Sequence, residues 1–476
     1  MNARQEEEAQ SGAREACGVT AVYSPAGEAS RIAYYSLFAL QHRGQESAGM
    51  AGKAGGSIQL RKRAGLVSQA FSEADIEALQ GGTAIGHTRY STTGSSNIRN
   101  AQPFLIDTMH GPVALAHNGN IVNAGELRKK LLKRGVGLTS ASDTELMLMT
   151  LAGSEGGTWA ERIRSAMASW IGAYSFVVLT LDGIYAARDP WGFRPLSTGF
   201  TAEGAFVAAS ESCALSTLGC RGIQEVGRGE IVSCDNQGKV ARASAGPFPK
   251  DLRSASCIFE FVYFSRPDSE WNGLSVHDVR RSFGIELAKH SPALADVVIP
   301  VPDSSISAAI GFAFESGIPY GEAFVKNRYI GRTFIEPTDS LRKRGVSLKF
   351  NVLRKTVEGK RVVVVDDSIV RGNTISPLVA LLRAAGAREV HVRVASPPVR
   401  HSCMMGVDMG RPEDLVANRV PESAIAAWSG ADSLEYLSMD SMGRAIGDLG
   451  LYCAACFNGA YPVDAEETAD KNRFEF

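Results

Sequence analysis

The sequence predicts two consecutive domains of different class, an α+β layered domain over residues 17–245 and an α/β domain over residues 246–445. Three observations lead to this division. The first half mixes short alternating strands with helices, the second half repeats strand, loop and helix with uniformly apolar strands, and a Gly-Pro-Phe-Pro stretch at 246–249 separates them. Uniformly apolar strands are typical of a parallel sheet that helices cover on both faces. A polar leader at 1–16 and a tail at 446–476 complete the chain.

In the first domain, order is expected to begin at Cys17, where small or polar residues alternate with apolar ones as in a half-buried strand. Further runs of this kind predict strands at 84–86, 113–116, 175–179 and 205–209. The spacing of apolar residues predicts helices at 32–41 and 143–151. Strands and helices interspersed in this way are typical of a layered α+β domain.

In the second domain, each predicted strand is followed by a loop and, in two cases, by a helix. The predicted strands are 296–300, 361–365 and 389–394. The predicted helices are 274–289, 305–314 and 375–385. Because ligands of open α/β sheets bind beyond the carboxyl ends of the strands, the loops after these strands are the places to seek functional residues.

The composition of the 476 residues excludes several classes of protein. Basic and acidic side chains number 50 and 51, whereas a general nucleic-acid-binding protein is usually strongly basic. No apolar stretch approaches the roughly 20 residues of a membrane-spanning helix, and the N-terminus lacks the apolar core of a secretory signal. Eight cysteines are too few for a disulfide scaffold. We therefore expect a cytoplasmic protein with no nucleic-acid or membrane partner.

The most specific motif is Val-Val-Val-Val-Asp-Asp-Ser-Ile-Val-Arg-Gly-Asn-Thr at 362–374, where a strand runs through a loop into a helix. Backbone N–H groups and hydroxyls of such a loop are suited to hold a phosphate. The adjacent carboxylates of Asp366 and Asp367 can accept hydrogen bonds from sugar hydroxyls and lie near a divalent cation, whereas an ordinary turn needs one capping acid. The motif resembles the signature of type I phosphoribosyltransferases, which bind phosphoribosyl pyrophosphate (PRPP).

A cluster of positive charge supports a polyanionic ligand. Residues 326–354 contain eight basic side chains against two acidic ones, a net charge of +6 in a chain whose formal charge is −1. This segment suits a closing lid that binds the pyrophosphate leaving group, and the alternative is a solvated basic face. The loop Asp303-Ser304-Ser305 follows another predicted strand at the same sheet edge, so its oxygens could reach a metal–pyrophosphate complex.

Cys17 opens the first predicted strand directly after the polar leader. If the chain were cut between Ala16 and Cys17, the new α-amino group, with a pKa of about 7.7–8.0, could take the proton of the thiol near neutral pH. One residue would then supply both nucleophile and base. The residues around this junction do not themselves indicate cleavage, and for Cys17 taken alone a buried structural cysteine is the simpler interpretation.

Three further motifs suit a site that hydrolyses glutamine. Arg89, within His-Thr-Arg-Tyr, could bind an α-carboxylate through two parallel hydrogen bonds. Asn118 and Gly119 follow an apolar strand, and their side-chain amide and backbone N–H could form an oxyanion hole. Asp143 begins a predicted helix and could hold an α-ammonium group, although the Ser-Asp-Thr-Glu motif at 142–145 also satisfies a helix capping box.

Cys453 and Cys456 form a Cys-X-X-Cys motif, the commonest spacing for two thiolates on one metal centre. A tetrahedral site needs two more ligands, for which Cys257 and Cys403 are the candidates. Spacing alone leaves three possibilities open: an iron–sulfur centre, a zinc site, or packing of the thiols in the core.

Together the motifs carry a resemblance over nearly the whole chain, from Cys17 to about Tyr461. The motifs concerned are Cys-Gly-Val at 17, Gln-His-Arg-Gly-Gln-Glu-Ser at 41, His-Thr-Arg-Tyr at 87, His-Asn-Gly at 117 and Ser-Asp-Thr-Glu at 142. They resemble the N-terminal-nucleophile glutaminase domain of class II amidotransferases. With the PRPP signature downstream, the chain resembles the glutamine phosphoribosylpyrophosphate amidotransferase family. This resemblance implies an αββα glutaminase domain followed by an α/β type I phosphoribosyltransferase domain, and a propeptide at 1–16.

The resemblance also implies roles for individual residues. Cys17 is the implied nucleophile, and the residues implied to hold glutamine or its oxyanion are Arg89, Thr92, Asn118, Gly119 and Asp143. The residues expected at the PRPP site are Asp366, Asp367, Ser368, Gly372, Asn373, Thr374 and Lys349. The expected Mg²⁺ ligands are Ser304, Asp366 and Asp367. One branch of the family carries a [4Fe–4S] cluster, whose ligands here would be Cys257, Cys403, Cys453 and Cys456.

The implied reaction takes ammonia from glutamine to PRPP and gives 5-phosphoribosylamine, the committed step of purine synthesis. The family implies purine nucleotides as feedback inhibitors and a homo-oligomer, expected to be a tetramer. Ammonia would cross an apolar passage whose wall could include Ile330, Phe334 and Ile335. Two alternatives remain: a PRPP-sensing transcription regulator, for which no basic DNA-binding element is visible, and another class II amidotransferase, which would lack the Asp366–Asp367 pair.

Overall fold

The computed structural model describes residues 17–90, 97–248, 252–327 and 350–464. The strands of the first half are β1 (Gly18–Tyr23), β2 (Ser47–Ala54), β3 (Ser57–Ala64), β4 (Thr83–Arg89), β5 (Phe104–Thr108), β6 (Gly111–Ile121), β7 (Gly172–Thr180), β8 (Gly183–Arg188), β9 (Ser197–Phe200), β10 (Phe206–Ala209), β11 (Arg221–Glu225), β12 (Glu230–Asp235) and β13 (Val240–Ser244). Its helices are α1 (Ala29–Ala39), α2 (Val67–Ala70), α3 (Glu73–Ala78), α4 (Ala124–Lys133), α5 (Asp143–Ala152), α6 (Trp159–Met167) and α7 (Ser212–Thr217).

Two antiparallel sheets face each other at the centre of this half. One has the strand order β11-β9-β10-β1-β4-β2-β3 and the other has the order β13-β12-β8-β7-β6-β5. A shared apolar core, which includes Val19, Ile85, Ala116 and Val177, fills the space between them. Helix α1 packs on the outer face of the first sheet through residues such as Leu37, and α5 and α6 pack on the second sheet. This helix–sheet–sheet–helix layering confirms the predicted αββα domain.

The second half has its own set of elements. Its strands are β14 (Ser256–Cys257), β15 (Glu270–Trp271), β16 (Leu274–Ser275), β17 (Val297–Pro300), β18 (Phe324–Lys326), β19 (Phe350–Val352), β20 (Arg361–Asp366), β21 (Glu389–Val394), β22 (Ser433–Tyr436) and β23 (Tyr452–Cys453). Its helices are α8 (Val276–His290), α9 (Ile306–Ser316), α10 (Arg354–Val357), α11 (Ile375–Ala384), α12 (Val416–Arg419), α13 (Ile425–Ser429), α14 (Met439–Ile446) and α15 (Ala455–Asn458).

Strands β17, β20, β21 and β22 form one parallel sheet in that order. Its two faces belong to different cores, because Val363 and Val365 pack with α8 and α9 whereas Val362 and Val364 pack with α11. The run of valines was therefore correctly interpreted as a strand with both faces buried, and the α/β class of this domain is confirmed.

One predicted boundary in this domain is wrong by two residues. The helix predicted from residue 274 begins at Val276, since Ser275 is its N-cap and its Oγ accepts a hydrogen bond from the N–H of Asp278 at 3.3 Å. Leu274 instead pairs with Trp271 across the short hairpin of β15 and β16. The capping serine thus starts the helix after Leu274, the first apolar residue of the predicted pattern.

The tail returns to the start of the second half. Strand β23 pairs in parallel with β14, so Cys453 lies opposite Cys257. Strand β14 also contacts the first half, because the N–H of Cys257 donates to the carbonyl of Phe193 at 3.1 Å. The tail, the start of the second half and a loop of the first half therefore meet at β14, and the domain boundaries expected at 245 and 445 stay predictions. Among the described residues, no helix is long and apolar enough to cross a membrane.

Candidate active sites

Cys17 lies at the end of a central strand of the first sheet. The next residue, Gly18, pairs with Thr88 on β4, so Cys17 lies beside the end of that strand. The side chain is 4% exposed. Its Sγ lies 3.2 Å from the carbonyl oxygen of Tyr90 and accepts a hydrogen bond from the Tyr90 N–H at 3.4 Å. The nucleophile predicted from the sequence is thus held in a fixed place and shielded from bulk water.

Burial raises the pKa of the Cys17 thiol to about 11, and the hydrogen bond from Tyr90 and the charge of Arg89 offset this rise only in part. At neutral pH the side chain is therefore almost entirely the thiol, which is a poor nucleophile. A base close to Sγ is needed to remove the proton during attack.

Asn118 and Gly119 occupy the buried end of β6 in the second sheet. Asn118 is fully buried, and neither polar atom of its side chain has a hydrogen-bond partner among the described residues. An unpaired buried amide costs free energy unless a ligand pairs with it. Gly119 has φ of +146°, and a Cβ there would lie 2.7 Å from the carbonyl carbon of Ala173. A buried amide donor and a glycine N–H side by side are suited to an oxyanion.

The two strand ends are tied together across the sheets. Nε2 of His87 on β4 lies 3.2 Å from the carbonyl oxygen of His117 on β6, so the segment that carries Arg89 lies next to the one that carries Asn118. Burial lowers the pKa of both histidines, and both are therefore neutral at neutral pH. The structure thus places the strand end that carries the predicted carboxylate-binding arginine next to the strand end that carries the predicted oxyanion residues.

Asp143 begins α5, as predicted, and it is 3% exposed. Its Oδ2 accepts a hydrogen bond from the N–H of Ile121 at 3.1 Å. Asp143 also lies near enough to Cys17 for its negative charge to raise the pKa of the thiol. One carboxylate oxygen is therefore held by the strand that carries the oxyanion residues. Ser142 caps the helix through Thr144 N–H at 3.3 Å.

The capping box expected at 142–145 does not form. Glu145 does not return to the N-cap, because its Oε1 and Oε2 each accept a hydrogen bond at 2.8 Å, from the N–H groups of Thr139 and Ser140. The glutamate thereby fixes the loop before the helix, a role that spacing alone does not distinguish from a capping box.

A cavity of about 420 Å³ lies beyond the carboxyl ends of β17 and β20. The predicted PRPP residues that line it are Ser304, Asp366, Asp367, Ser368, Gly372, Asn373 and Thr374. Lys326 also lines it, and its Nζ lies 2.7 Å from Oδ2 of Asp303. The loops predicted to meet at this sheet edge therefore do so.

The acidic pair is linked to the neighbouring serine loops. The Ser304 hydroxyl donates to Asp367 Oδ2, and the Ser368 hydroxyl donates to Asp367 Oδ1 at 2.6 Å. Ser305 donates to Asp366 Oδ1 at 3.4 Å. Burial raises the pKa of both carboxyls, and the charge of Asp367 raises the pKa of Asp366 further. Two buried carboxylates that oppose each other's ionisation form a site suited to a cation.

Sequence reasoning missed one wall of this cavity. His42 and Gln45, from the first domain, and the segment from Tyr263 to Pro267 line it together with Arg280. His42 and Gln45 belong to the motif at 41–47 that supported the resemblance, but nothing in their spacing indicated that they face the other domain. Their own side-chain chemistry gave no usable signal, because the contact depends on how the domains pack.

Arg43 links this wall of the cavity to Cys17, the predicted nucleophile. Its Nε donates to the backbone carbonyl of Cys17 at 2.9 Å, and its Nη1 and Nη2 donate to the two carboxylate oxygens of Glu260 at 2.9 and 2.8 Å. It also pairs with Glu211. Arg43 and both glutamates are essentially inaccessible to solvent. A buried ion cluster thus joins the two domains between the two candidate sites.

The thiol pKa of three of the four predicted cluster ligands is raised above its ordinary value. Burial is the main cause for Cys257, Cys453 and Cys456, and the neighbouring thiolates, including that of Cys403, raise the pKa further. The value for Cys257 is about 11. The four cysteines are therefore close neighbours. In the described ranges, no group of three or more His, Cys, Asp or Glu side chains is placed to hold a metal ion.

Several predicted features lie outside the described residues. They are the leader at 1–16, Thr92, Lys349, most of the basic segment, and the three proposed passage residues Ile330, Phe334 and Ile335.

The fold and the two sites define a class of protein, a glutamine amidotransferase domain joined to a phosphoribosyltransferase domain. A family model described as "Glutamine amidotransferase domain" matches residues 87–217. The chain is 47% identical over 466 residues to an amidophosphoribosyltransferase of Synechococcus elongatus, covering 96% of this chain and 94% of that protein. The chain belongs to the amidophosphoribosyltransferase family, the glutamine-dependent transferases of purine biosynthesis.

More distant members and solved structures agree with this assignment. An amidophosphoribosyltransferase of Rattus norvegicus is 40% identical, with 96% of this chain and 99% of that protein covered. A structure titled as the allosteric regulatory enzyme of purine biosynthesis superposes with a TM-score of 0.90 at 41% identity, over 97% of this chain and 99% of its own. The B. subtilis glutamine PRPP amidotransferase superposes with a TM-score of 0.89 at 40% identity, over 96% of this chain and 100% of its own. These matches favour the enzyme over the regulator and over other class II amidotransferases.

Proposed function

We propose that Cys17, freed from residues 1–16, is the nucleophile that releases ammonia from glutamine. Its Sγ attacks the side-chain amide carbon, a C–S bond forms, and the C–N bond breaks to give a glutamyl thioester and ammonia. The α-amino group of Cys17 takes the thiol proton and passes it to the departing nitrogen. Water then cleaves the thioester and glutamate leaves.

The carrying observation is the fully buried, unpaired amide of Asn118 beside Gly119. When the amide carbonyl becomes tetrahedral, its oxygen gains negative charge, and an N–H donor from each residue can stabilise it. The high thiol pKa supports the need for the amine, since without a base about one thiol in ten thousand would be ionised at pH 7.

Arg89 and Asp143 fit the two charged ends of glutamine. The guanidinium of Arg89 is suited to the α-carboxylate, and the carboxylate of Asp143 to the α-ammonium group. Both side chains are 3% exposed, so their charges act with little screening by water. Thr92 is proposed as a third contact by resemblance.

We propose that PRPP occupies the cavity beyond β17 and β20. The loop from Ser368 to Thr374 precedes α11, so its N–H groups and hydroxyls suit a phosphate. Ammonia attacks C1 of the ribose, a C–N bond forms, the C–O bond to pyrophosphate breaks, and the nitrogen loses a proton. Lys326, and by resemblance Lys349, would attract the departing pyrophosphate.

The donor set at this cavity fits Mg²⁺. Asp366, Asp367 and Ser304 would supply its oxygen ligands. The raised pKa of the two carboxyls supports this choice, because a bound cation would stabilise their charged forms and lower the pKa again. When bound, Mg²⁺ would neutralise charge on the pyrophosphate as that group leaves.

The path for ammonia is proposed to follow the junction that Arg43 and His42 form between the domains. Arg43 contacts the backbone of Cys17, and His42 lines the PRPP cavity, so consecutive residues reach from one site to the other. An enclosed route would keep ammonia unprotonated and therefore nucleophilic.

The four neighbouring cysteines are proposed to hold a [4Fe–4S] cluster. Four cysteine thiolates are the usual ligand set of such a cluster, so Cys257, Cys403, Cys453 and Cys456 would supply all of its protein ligands. The thiol-only donor set fits this arrangement, and zinc is the alternative that metal analysis must exclude. When bound, the cluster would hold the tail to β14 as a structural or oxygen-sensitive element.

Regulation and assembly are proposed from relatives. The B. subtilis structure is described as a complex with ADP and GMP, so feedback by purine nucleotides is proposed for this chain too. A cytoplasmic homotetramer remains the proposed state.

The decisive experiment compares glutamine-dependent and ammonia-dependent synthesis in Cys17→Ala. We expect glutamine-dependent phosphoribosylamine formation to vanish and ammonia-dependent formation to persist, because only the first step needs the thiol. Cys213→Ala, another buried cysteine of the same domain, is the matched control and should keep both activities. Loss of both in Cys17→Ala, with a folded protein, contradicts the division of labour. Intact mass and visible absorption of anaerobically purified protein test the leader and the cluster.

A further inference from the structure

The loop that carries Cys403 packs directly on the proposed oxyanion strand of the other domain. A Cβ added to Gly406 would lie 2.8 Å from the carbonyl carbon and 2.9 Å from the oxygen of Gly119. Gly406 has φ of +91°, a conformation that favours glycine. Two glycine backbones therefore touch where side chains could not fit.

Two hydrogen bonds fix this loop to the first domain. Nδ2 of Asn120 donates to the carbonyl of Met404 at 2.8 Å. Nη2 of Arg194 donates to the carbonyl of Met405 at 2.7 Å, and Nη1 of Arg194 is held by Glu260 at 3.3 Å. The carbonyls of two neighbouring loop residues, Met404 and Met405, thus accept hydrogen bonds from two side chains of the first domain.

The other end of the loop belongs to the cysteine group. The N–H of Met405 donates to Cys403 Sγ at 3.3 Å. Met405 is 2% exposed and shares a small apolar core with Ala173 and Phe193 of the first domain, against which Cys403 and Cys453 pack. Any displacement of Cys403 would therefore be transmitted to the backbone beside Gly119.

We propose that residues 403–406 are a positioning element for the oxyanion strand, so that the cysteine group of the second domain sets the geometry of the glutamine site in the first. This inference rests on the proposed oxyanion role of Asn118 and Gly119. Asn120 and Gly406 are positioning residues, since they act through Gly119 and do not touch the substrate. Loss of order at the cysteine group would lower glutamine hydrolysis first, with the PRPP cavity unaffected.

The test substitutes the two contacts and reads the geometry at Cys17. Asn120→Ala should lower kcat for glutamine hydrolysis about tenfold, the effect of one lost hydrogen bond of about 1.4 kcal/mol, and leave the KM for glutamine within about twofold. Gly406→Ala should also lower kcat more than it changes KM, because its Cβ would push against the backbone of Gly119. Ammonia-dependent synthesis should not change. Asn123→Ala is the matched control, because the hydrogen bonds of that side chain to described residues, Ser169 and Ile171, lie within the first domain.

A second readout separates oxyanion geometry from general damage. A diazoketone analogue of glutamine places a ketone oxygen in the oxyanion hole, whereas iodoacetamide needs only the thiol. We expect Asn120→Ala and Cys403→Ser to slow labelling of Cys17 by the diazoketone and not by iodoacetamide, with labelling read from peptide mass. If the diazoketone labels Cys17 in Asn120→Ala as fast as in wild type, and iodoacetamide does so too, the proposal is overturned.

One further variant distinguishes the two levels of inference. Asn118→Ala should slow diazoketone labelling strongly. If it does not, the oxyanion assignment itself fails. If Asn118→Ala slows labelling while Asn120→Ala and Gly406→Ala behave as Asn123→Ala does, the oxyanion assignment stands and the positioning role of 403–406 is refuted.

Discussion

The two candidate sites differ in the kind of polar group that the protein's own contacts leave uncompensated. In the first domain, the buried amide of Asn118 has no hydrogen-bond partner among the described residues, whereas at the proposed PRPP cavity two buried carboxylates oppose each other. The first arrangement is complementary to a developing oxyanion and the second to a cation with its polyanion. The chemistry of a missing ligand can thus be inferred from which polar group the fold leaves unsatisfied.

The largest effect on activity is expected at the acidic pair, Asp366 and Asp367. Asp366→Asn should reduce both glutamine- and ammonia-dependent synthesis about a thousandfold, because both need the PRPP cavity. In the absence of divalent cations the same variant should unfold at an equal or higher temperature, since it removes repulsion between buried carboxylates. Asp107→Asn, at an exposed position of β5 in the first domain, is the control. Full ammonia-dependent activity in Asp366→Asn would show that the pair lies outside the reaction.

The junction between the sites is tested at Arg43. Arg43→Met leaves Glu211 and Glu260 buried without their main partner, and should destabilise the protein by about 3–5 kcal/mol. Arg31→Met, which breaks an exposed pair with Glu73, should leave the denaturant midpoint unchanged. Urea unfolding followed by fluorescence measures both variants. A midpoint for Arg43→Met equal to wild type would mean that the cluster does not hold the domains together.

The glutamine site is tested at its unpaired amide. Asn118→Ala should lower kcat for glutamine about a hundredfold and leave ammonia-dependent synthesis intact, because the lost donor acts on the oxyanion alone. Stability should stay the same or rise, since an unsatisfied buried amide is removed. Steady-state kinetics with each nitrogen source measure this. A stability loss without a kinetic change would assign Asn118 a structural role.

The smallest expected effect is the pH dependence of stability without metal. The pKa of Asp366 and Asp367 is raised by folding, so the native state binds more protons than the unfolded state above the ordinary value of about 4. Their contribution to stability is therefore lost as pH rises from about 4 through the raised pKa. In EDTA, the difference in unfolding temperature between wild type and Asp366→Asn should fall as pH rises. Added Mg²⁺ should abolish this pH dependence at neutral pH. A flat difference would contradict the raised pKa.

Local sequence predicted the parts of each site that lie in one segment. The loop after β20 and the residues at the ends of β1, β4 and β6 were identified because strand ends and turn residues place side chains at a sheet edge by local rules. The capping box that the Ser-Asp-Thr-Glu motif also allowed does not form, because the Glu145 carboxylate accepts hydrogen bonds from the preceding loop. The walls formed by His42 and Arg280 were missed altogether.

The amino-acid sequence by itself determined the two fold classes and predicted the phosphate loop, because these follow from residue type and spacing within short segments, whereas Cys17 as nucleophile and the four cysteines as ligands were predicted by resemblance to the family. Only the tertiary structure decided that Arg43 joins the nucleophile to Glu260 and that Gly406 touches Gly119. The Arg43–Glu260 and Gly119–Gly406 contacts join residues more than 200 positions apart. They depend on the packing of two domains, and no local pattern encodes that geometry.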